Sequence, residues 1–459
     1  MRSRTGSSIS ELRSRVDGRV IAPDDDGYDR ARTVFHGGID RHPAAIVRVA
    51  HAEDVSRVVT LAGDNSVELA VRSGGHSTAG HSVTEGGIVL DLANMRALDI
   101  DVGARTAWAQ TGLTAGEYTT AVGAHGLATG FGDTGSVGIG GITLGGGIGF
   151  LVRKHGLTID DLLAVEVVTA DGELLRADAE RHPDLFWAMR GGGGNFGVAT
   201  RFKFRLHEVP SIVGGLLFLP ATAEVIEGFM AAAANAPEAL STIANVMPAP
   251  PMPFLPEETH GKLVIFAMLT YAGDVDAGER AIAPFRALAT PVANMVKPMS
   301  YPEMYMPEEE EYHPTAVGRT EFVDAIDHDQ TEAMVTALEA STAMMSVVQL
   351  RALGGAMARV PEDATAFAHR TKPVMATVAS LYEDPDDRDA SQMWVDNLSA
   401  IVFRGEPATY VNFLADEGQE RVRHAYSRPT WKRLAEIKAR YDPNNLFHLN
   451  QNIPPADGG

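Results

Sequence analysis

Three glycine-dense stretches constrain this chain more than any other feature. "VRSGGHSTAGHS" spans residues 71–82, "GSVGIGGITLGGGIG" spans 135–149 and "GGGNFG" spans 192–197, in a chain that carries 46 glycines. A loop without side chains lets backbone N–H groups close on a ligand oxygen, above all a phosphate. Tight turns and close packing also use glycine, but backbone approach to one large phosphorylated cofactor accounts for all three stretches together. The third stretch satisfies G-x-G-x-x-G, yet a helical pattern precedes it and a strand follows, the reverse of the dinucleotide fold. The second satisfies that spacing in no register. A Rossmann reading, and with it a nicotinamide-dependent dehydrogenase, is therefore set aside. What remains to explain is His76, a bulky imidazole placed directly after two glycines.

Charge and composition narrow the partners. Asp and Glu outnumber Lys and Arg by 60 to 39, a net charge of −21, which argues against nucleic acid, since phosphate contacts need clustered Lys and Arg. It equally disfavours an anionic membrane surface. The absence of cysteine removes disulfides, thiolate zinc sites and a cysteine nucleophile. His76 and His81 lack further obvious ligands, so no metal site is expected. The first 18 residues lack the apolar run of a signal peptide, and no stretch approaches the roughly 18–20 apolar residues of a membrane span. A soluble, cytoplasmic protein is expected, monomeric or homodimeric. Its 459 residues suffice for two or three domains.

The pattern changes character along the chain. Up to residue 210 it reads as a mixed α+β block: a helix over 52–64 with Val55, Val58, Val59 and Ala62 at helical spacing, strands at 87–92 and 105–112, a helix over 114–126, and a hairpin over 162–178 turning at Asp171-Gly172. A strand then runs to Pro210. Beyond it, a strand followed by a helix over 262–288, a strand pair or bulged strand over 346–360 and a strand over 373–384 alternate with helices over 224–240, 330–341 and 390–402, which predicts one sheet with helices on one face. Residues 407–414 read as a strand, 429–447 as a helix ended by Asp442-Pro443, and the acidic run 308–311 as a solvated loop.

Arg72-Ser73-Gly74-Gly75-His76 resembles the flavin-attachment loop of the vanillyl-alcohol oxidase superfamily, and "GSVGIGGITLGGGIG", "HPDLFWAMRGGGGNFGVAT", "YVNF" and "RYDPNNLFHLNQNIPP" resemble its berberine-bridge-enzyme-like branch. The resemblance covers nearly the whole chain. It implies an α+β fold with a two-part, PCMH-type FAD-binding domain, residues 1–210 with 415–459 returning to it, and an inserted substrate-binding domain, 211–414, of antiparallel sheet covered by helices. It implies FAD as cofactor, bonded to His76 through the flavin 8α-methyl carbon. Ser73, Gly74, Gly75, His76 and Ser77 would supply backbone to the pyrophosphate, with Arg72 beside them. Further cofactor contacts fall on Thr134, Gly135, Val137 and Gly138, on Gly140, Gly141 and Gly146, and on Val198, Asn412 and Asn450. His81 reads as an ordinary loop or buried histidine.

The chain departs from the family at Thr134. Many members place a cysteine there in a pattern like G-x-C-P-x-V-G and form a second flavin bond; here Gly132 to Gly138 contain none, so one covalent link is the ceiling, and a smaller or more enclosed substrate is favoured. The resemblance implies an oxidase that removes a hydride from an alcohol or amine carbon of a small organic or natural-product substrate. Val137, at the position that screens the flavin C4a face, leaves room for O2 as acceptor, with H2O2 released. Tyr410 is the candidate proton acceptor, or the group holding the substrate where its proton is lost, with Asn412 projecting from the same side of the expected strand. Gln349 stands where a relative has glutamate and is a candidate anchor in a cavity-lining strand with Arg351. Tyr312 is a third catalytic candidate, within a run whose Tyr301 and Tyr305 could form a pocket rim. The alternatives left open are an oxygenase or dehydrogenase, and a flavoprotein that binds a drug-like compound.

Overall fold

The computed structural model describes residues 2–307 and 312–456; the acidic run 308–311 lies outside the described residues. The first layer is a four-stranded sheet in the order Arg19–Ile21, Ala45–Arg48, Ile88–Asp91, Leu69–Arg72, whose last three strands run parallel. Parallel neighbours need a long crossover, and the helix Ala52–Asn65 supplies one. It starts at His51, whose ring nitrogen accepts from the Asp54 N–H, buries Val55, Val58, Val59 and Ala62, and stops at Ser66 with φ +53°. The strand Leu69–Arg72 then delivers the chain into the His76 loop.

A five-stranded antiparallel sheet follows, ordered Leu98–Asp101, Thr106–Gln110, Val198–Arg205, Leu162–Val168, Leu174–Asp178. Its last pair is the expected hairpin, with Gly172 at φ +82°. The helix Ala115–Gly123 opens with a capping box, Thr114 accepting from the Glu117 N–H while the Glu117 carboxylate accepts from the Thr114 N–H.

Eight antiparallel strands between Ile212 and Leu381 form the second unit. The side-chain period of two gives its sheet two unlike faces. Ala244, Val246, Val348, Leu350, Ala376 and Val378 face the helices Ala223–Asn235, Val275–Arg286, His328–Glu339 and Arg388–Val402, burying Phe229, Phe285, Met334 and Leu398 between the layers. On the other face, Asn245, Gln349, Thr377 and Thr320 stand directly opposite one another across four neighbouring strands. A helix-covered antiparallel sheet is the α+β arrangement expected.

One anchor joins the two units, and a second ties the end of the chain back onto the first unit. Arg153 is buried, and its guanidinium donates to the carbonyls of Ala233, Ala236 and Leu240 at 2.7, 3.0 and 3.2 Å. This places a cation at the C-terminal end of Ala223–Asn235, where unpaired carbonyls concentrate. At the chain's end, Lys438 is fully buried and donates to Asp442 Oδ2 at 2.6 Å and to the carbonyls of Asn195 and Phe447. Asn195 in turn holds Ile453 and Gln451, lacing the tail onto the third glycine stretch.

One expected strand is absent. Residues 407–414 form an extended approach and the single 3₁₀ turn Val411–Phe413. Thr409 bonds to Arg421 O and His424 O at the end of the short helix Gln419–Arg423, so the backbone donor a ladder would use is taken. The stretch 346–360 is one strand, Met345–Ala352, followed by Gly354 and Gly355 at positive φ and the short helix Ala356–Arg359.

Candidate functional site

The glycine stretches and the polar face of the large sheet enclose a cleft of about 1080 Å³. Small-molecule and cofactor sites span roughly 300–1,000 Å³, and this cleft lies at the upper end of that range, with space for a large ligand. Its floor is backbone. The His76 loop rests on the 135–149 stretch so closely that a Cβ on Gly74 would collide with the Gly138 nitrogen, and one on Gly138 with Gly74. Ser73 pins the junction, donating to Thr111 O at 2.6 Å and accepting from the Gly140 N–H at 3.2 Å. Gly141 and Gly194 line the cleft with nothing within 4 Å of where a Cβ would stand. These are the positions at which any side chain would fill the space a ligand needs.

His76 lies in the cleft wall. Its ring stacks on Phe35 with centroids 4.0 Å apart, and Nε2 lies 3.0 Å from Ser136 Oγ. Burial, reinforced by neighbouring His36, lowers its pKa to about 4. The imidazole is therefore neutral at pH 7, the state in which a ring nitrogen has a lone pair to share. His36 also lines the cleft and is lowered by burial; it follows no motif, and only its partners reveal it. His81 is likewise held down to about 4 by burial, and its Nε2 has no hydrogen-bond partner among the described residues.

The roof is made of side chains. Gln349 Nε2 donates to Asn245 Oδ1 at 2.8 Å, and Thr320 and Thr377 join their hydroxyls at 2.8 Å. Arg351 Nε donates to Gln349 Oε1 at 2.8 Å and Nη2 to Asp133 Oδ2 at 2.7 Å, tying roof to floor. Asp133 sits beside Thr134, yet nothing in its sequence context separates it from an ordinary loop carboxylate. Tyr410 enters from the returning chain. Only 2% exposed, its Oη accepts from the Gly147 N–H and from Asn412 Nδ2, both at 2.9 Å. Asn412 also donates to Ile142 O at 3.1 Å. The pairing expected of residues 410 and 412 is thus present, though it arises from a 3₁₀ turn. Burial raises the Tyr410 pKa, against the opposing pull of these two donors and of Arg351; desolvation of a phenolate outweighs them.

The structure places His76, Ser77, Gly74, Gly75, Ser73, Thr134, Val137, Gly138, Gly140, Gly141, Val198, Gln349, Tyr410, Asn412 and Asn450 on this one cleft. Four expected residues lie off it. Arg72 is buried beneath the loop, donating to Ala31 O at 2.7 Å and paired with Asp91 at 3.1 Å. Gly135 spends its carbonyl on the Gly116 N–H. Gly146, at φ +137°, packs against Phe367 and Tyr410. Tyr312 is 50% exposed, its ring edge-to-face with Phe35 at a centroid distance of 6.4 Å. Tyr301 and Tyr305 are no rim: Tyr301 is buried and Tyr305 partly buried, hydroxyls 3.3 Å apart, with Tyr305 donating to Gly132 O.

Orphaned polar atoms also fit a cleft that takes polar ligands. Asn450 Oδ1, His81 Nε2 and Arg351 Nη1 are buried on the cleft without partners among the described residues, and such groups cost about 1–3 kcal/mol each unless a ligand satisfies them. Residues 43–178 match the model of an FAD binding domain, and 409–454 that of a "berberine and berberine like" region. The chain is 32% identical to the FAD-linked oxidoreductase YvdP of Bacillus subtilis, over 96% of this chain and 99% of that one. It is 30% identical to (R)-6-hydroxynicotine oxidase of Paenarthrobacter nicotinovorans, over 96% and 97%. The solved structure of 6-hydroxy-D-nicotine oxidase from Arthrobacter nicotinovorans superposes with a TM-score of 0.86 at 28% identity, covering 95% of this chain and 98% of that one. Berberine-bridge-like 1 of Physcomitrella patens, 21% identical, shares the fold with a TM-score of 0.86.

Proposed function

The chain belongs to the berberine-bridge-enzyme-like FAD-linked oxidoreductases of the vanillyl-alcohol oxidase superfamily, and from that premise we propose that it is an oxidase acting on a CH–OH or CH–NH carbon of a small organic molecule. The observation that carries the reading is convergence: a neutral imidazole, a backbone floor and a buried tyrosine face one cleft. When bound, FAD supplies the hydride acceptor and passes the electrons to O2, with release of H2O2. In this reading residues 1–210 and 415–459 hold the cofactor, and 211–414 cover the substrate.

His76 would be the flavin's single covalent anchor, through the flavin 8α-methyl carbon. Its low pKa keeps the ring nitrogen available, and Ser136 and Phe35 fix the ring's orientation. Gly74, Gly75 and Ser77 present backbone to the pyrophosphate, with Gly74 packed on Gly138 too closely for a side chain. Tyr410 stays protonated at neutral pH because it is desolvated. Its role is to hold the reacting oxygen or nitrogen by hydrogen bonding; taking that atom's proton would need the phenolate, which burial disfavours. Gln349 is locked by Asn245 and Arg351 and serves as a fixed hydrogen-bond anchor. Val137 borders the cleft with a short side chain and leaves O2 room to approach. The relatives named for 6-hydroxynicotine and xylooligosaccharide oxidation bracket the substrate chemistry as amine or alcohol.

The test is direct. Acid-precipitated, washed protein should remain yellow and fluoresce on a denaturing gel, and His76→Ala should release its flavin under the same treatment. Alcohols and amines screened under nitrogen should include one that bleaches the flavin, and air should restore the colour with H2O2. Wild-type protein that loses its colour on acid washing refutes the His76 bond. A reduced flavin that air does not reoxidise refutes the oxidase reading.

A further inference from the structure

Arg351 enters the mechanism above only as a support for Gln349. It is 4% exposed, a desolvated cation on the site face of its strand. Two of its three nitrogens are engaged, Nε with Gln349 and Nη2 with Asp133. The third, Nη1, has no acceptor among the described residues, although the side chain borders the cleft. Phe413 lies against the guanidinium, its ring centroid 5.3 Å from Cζ, and closes one flat face. The free edge is the Nη1 edge. An aromatic floor, two fixed sides and one buried, unpaired donor edge form a preorganised receptor for a planar oxygen group.

We infer that the substrate carries an acidic oxygen, a phenol, an enol or a carboxylic acid, and binds as its anion with that oxygen on Arg351 Nη1. The inference rests on the oxidase reading of the cleft and names its substrate class. The groups facing this position are Asp133, Gln349, Tyr410 and Phe413. Asp133 is paired with Arg351 at 2.7 Å, so a further anion binds beside a carboxylate already in place. The arrangement also accounts for a tyrosine that burial keeps protonated. Where the bound oxygen is ionised by the arginine, Tyr410 donates a hydrogen bond to it and need not act as a strong base.

Binding measurements separate this from catalysis. Holoprotein is titrated with benzoate, 4-nitrophenolate and uncharged benzamide, following the flavin absorbance and, in parallel, the heat of binding. Both anions are expected to bind roughly 10–100-fold more tightly than benzamide, the range for a hydrogen bond to a charged group. Arg351→Met should remove that advantage and leave benzamide within about twofold, with Arg351→Lys restoring part of it. Asp133→Asn, which keeps the arginine and removes its counter-ion, should tighten the anions several-fold. Anions that bind no better than benzamide overturn the inference. So does an Arg351→Met protein that loses all three probes alike, or one that keeps its anion preference while its flavin midpoint potential moves, which assigns Nη1 to the cofactor. A colourless protein fails the FAD reading alone, because the calorimetric arm needs no chromophore.

Discussion

The floor and the roof of the cleft are built by opposite means. The floor is shaped by what glycine lacks: Gly74 and Gly138 touch backbone to backbone, and Gly141 leaves open space. The roof is shaped by what is present, a row of Asn245, Gln349, Thr377 and Thr320 brought level by strand register. A floor of backbone tolerates no added atom, because the neighbouring main chain cannot move aside cheaply. A roof of side chains can be trimmed one group at a time. The floor therefore governs whether a cofactor is held at all, and the roof governs what is turned over on it.

The largest expected effect breaks the floor. Gly74→Ala drives a Cβ into the Gly138 backbone, so the two loops must part and flavin retention should be lost outright. The ratio of flavin to protein absorbance in purified material reads this, and a fully yellow Gly74→Ala protein breaks the comparison. Next is Tyr410→Phe, which keeps the ring and removes the hydroxyl that accepts from Gly147 and Asn412. Flavin content should stay at the wild-type level, while anaerobic reduction by substrate slows by roughly 10²–10⁴-fold. Wild-type reduction across pH in this variant would remove Tyr410 from the chemistry.

Acid distinguishes the two sides next. The floor carries His76 and His81, each lowered to about 4 by burial; the polar roof row carries no histidine. A depressed histidine is neutral in both states above its ordinary value near 6.5. As pH falls below that value the unfolded chain takes up a proton that the fold refuses, so stability is lost. The loss continues down to about pH 4, where the folded ring is protonated too. The slope is at most about 1.4 kcal/mol per pH unit for each histidine. Flavin-free protein should therefore lose urea resistance between pH 6.5 and 4, and His81→Asn should flatten part of that slope. An identical slope in the variant would show that His81 does not titrate in this window.

This contrast also explains what could be read from the sequence. The floor announced itself, because a run such as Ser73-Gly74-Gly75-His76 has one local reason to exist. The helix-covered sheet was legible from the alternation of strand and helix patterns, with Val374–Leu381 and Arg388–Val402 falling where expected. The partners of Gln349 were not legible. Asn245 lies 104 residues away and Asp133 lies 218 from Arg351, and those meetings depend on the summed register of several strands and on the packing of two units. The stretch around Tyr410 misled for a related reason. Thr, Tyr, Val and Phe favour strands, but a strand needs a free ladder partner, and Thr409 spends its backbone donor on the end of Gln419–Arg423. Tyr312 was drawn in by its chemistry alone, whereas its placement turns it half into solvent.

The smallest expected effect sharpens the comparison from the roof side. Thr377→Val keeps the branched shape and replaces a hydroxyl with a methyl. It removes the 2.8 Å bond to Thr320 Oγ1 and nothing else that the structure records for that side chain. Thr320 is itself buried, but its hydroxyl can rotate toward the cleft and find water or substrate there. The loss should therefore stay near the net value of one neutral hydrogen bond, about 0.5–1.5 kcal/mol, rather than the full cost of an orphaned donor. On stability this is a small shift of the urea midpoint at unchanged slope. On catalysis it is at most about a tenfold rise in KM, with anaerobic reduction at saturation and flavin content unchanged. A Thr377→Val protein that loses flavin would mean that the polar row also shapes the cofactor's place, and the division between a floor that holds and a roof that selects would fail at that strand.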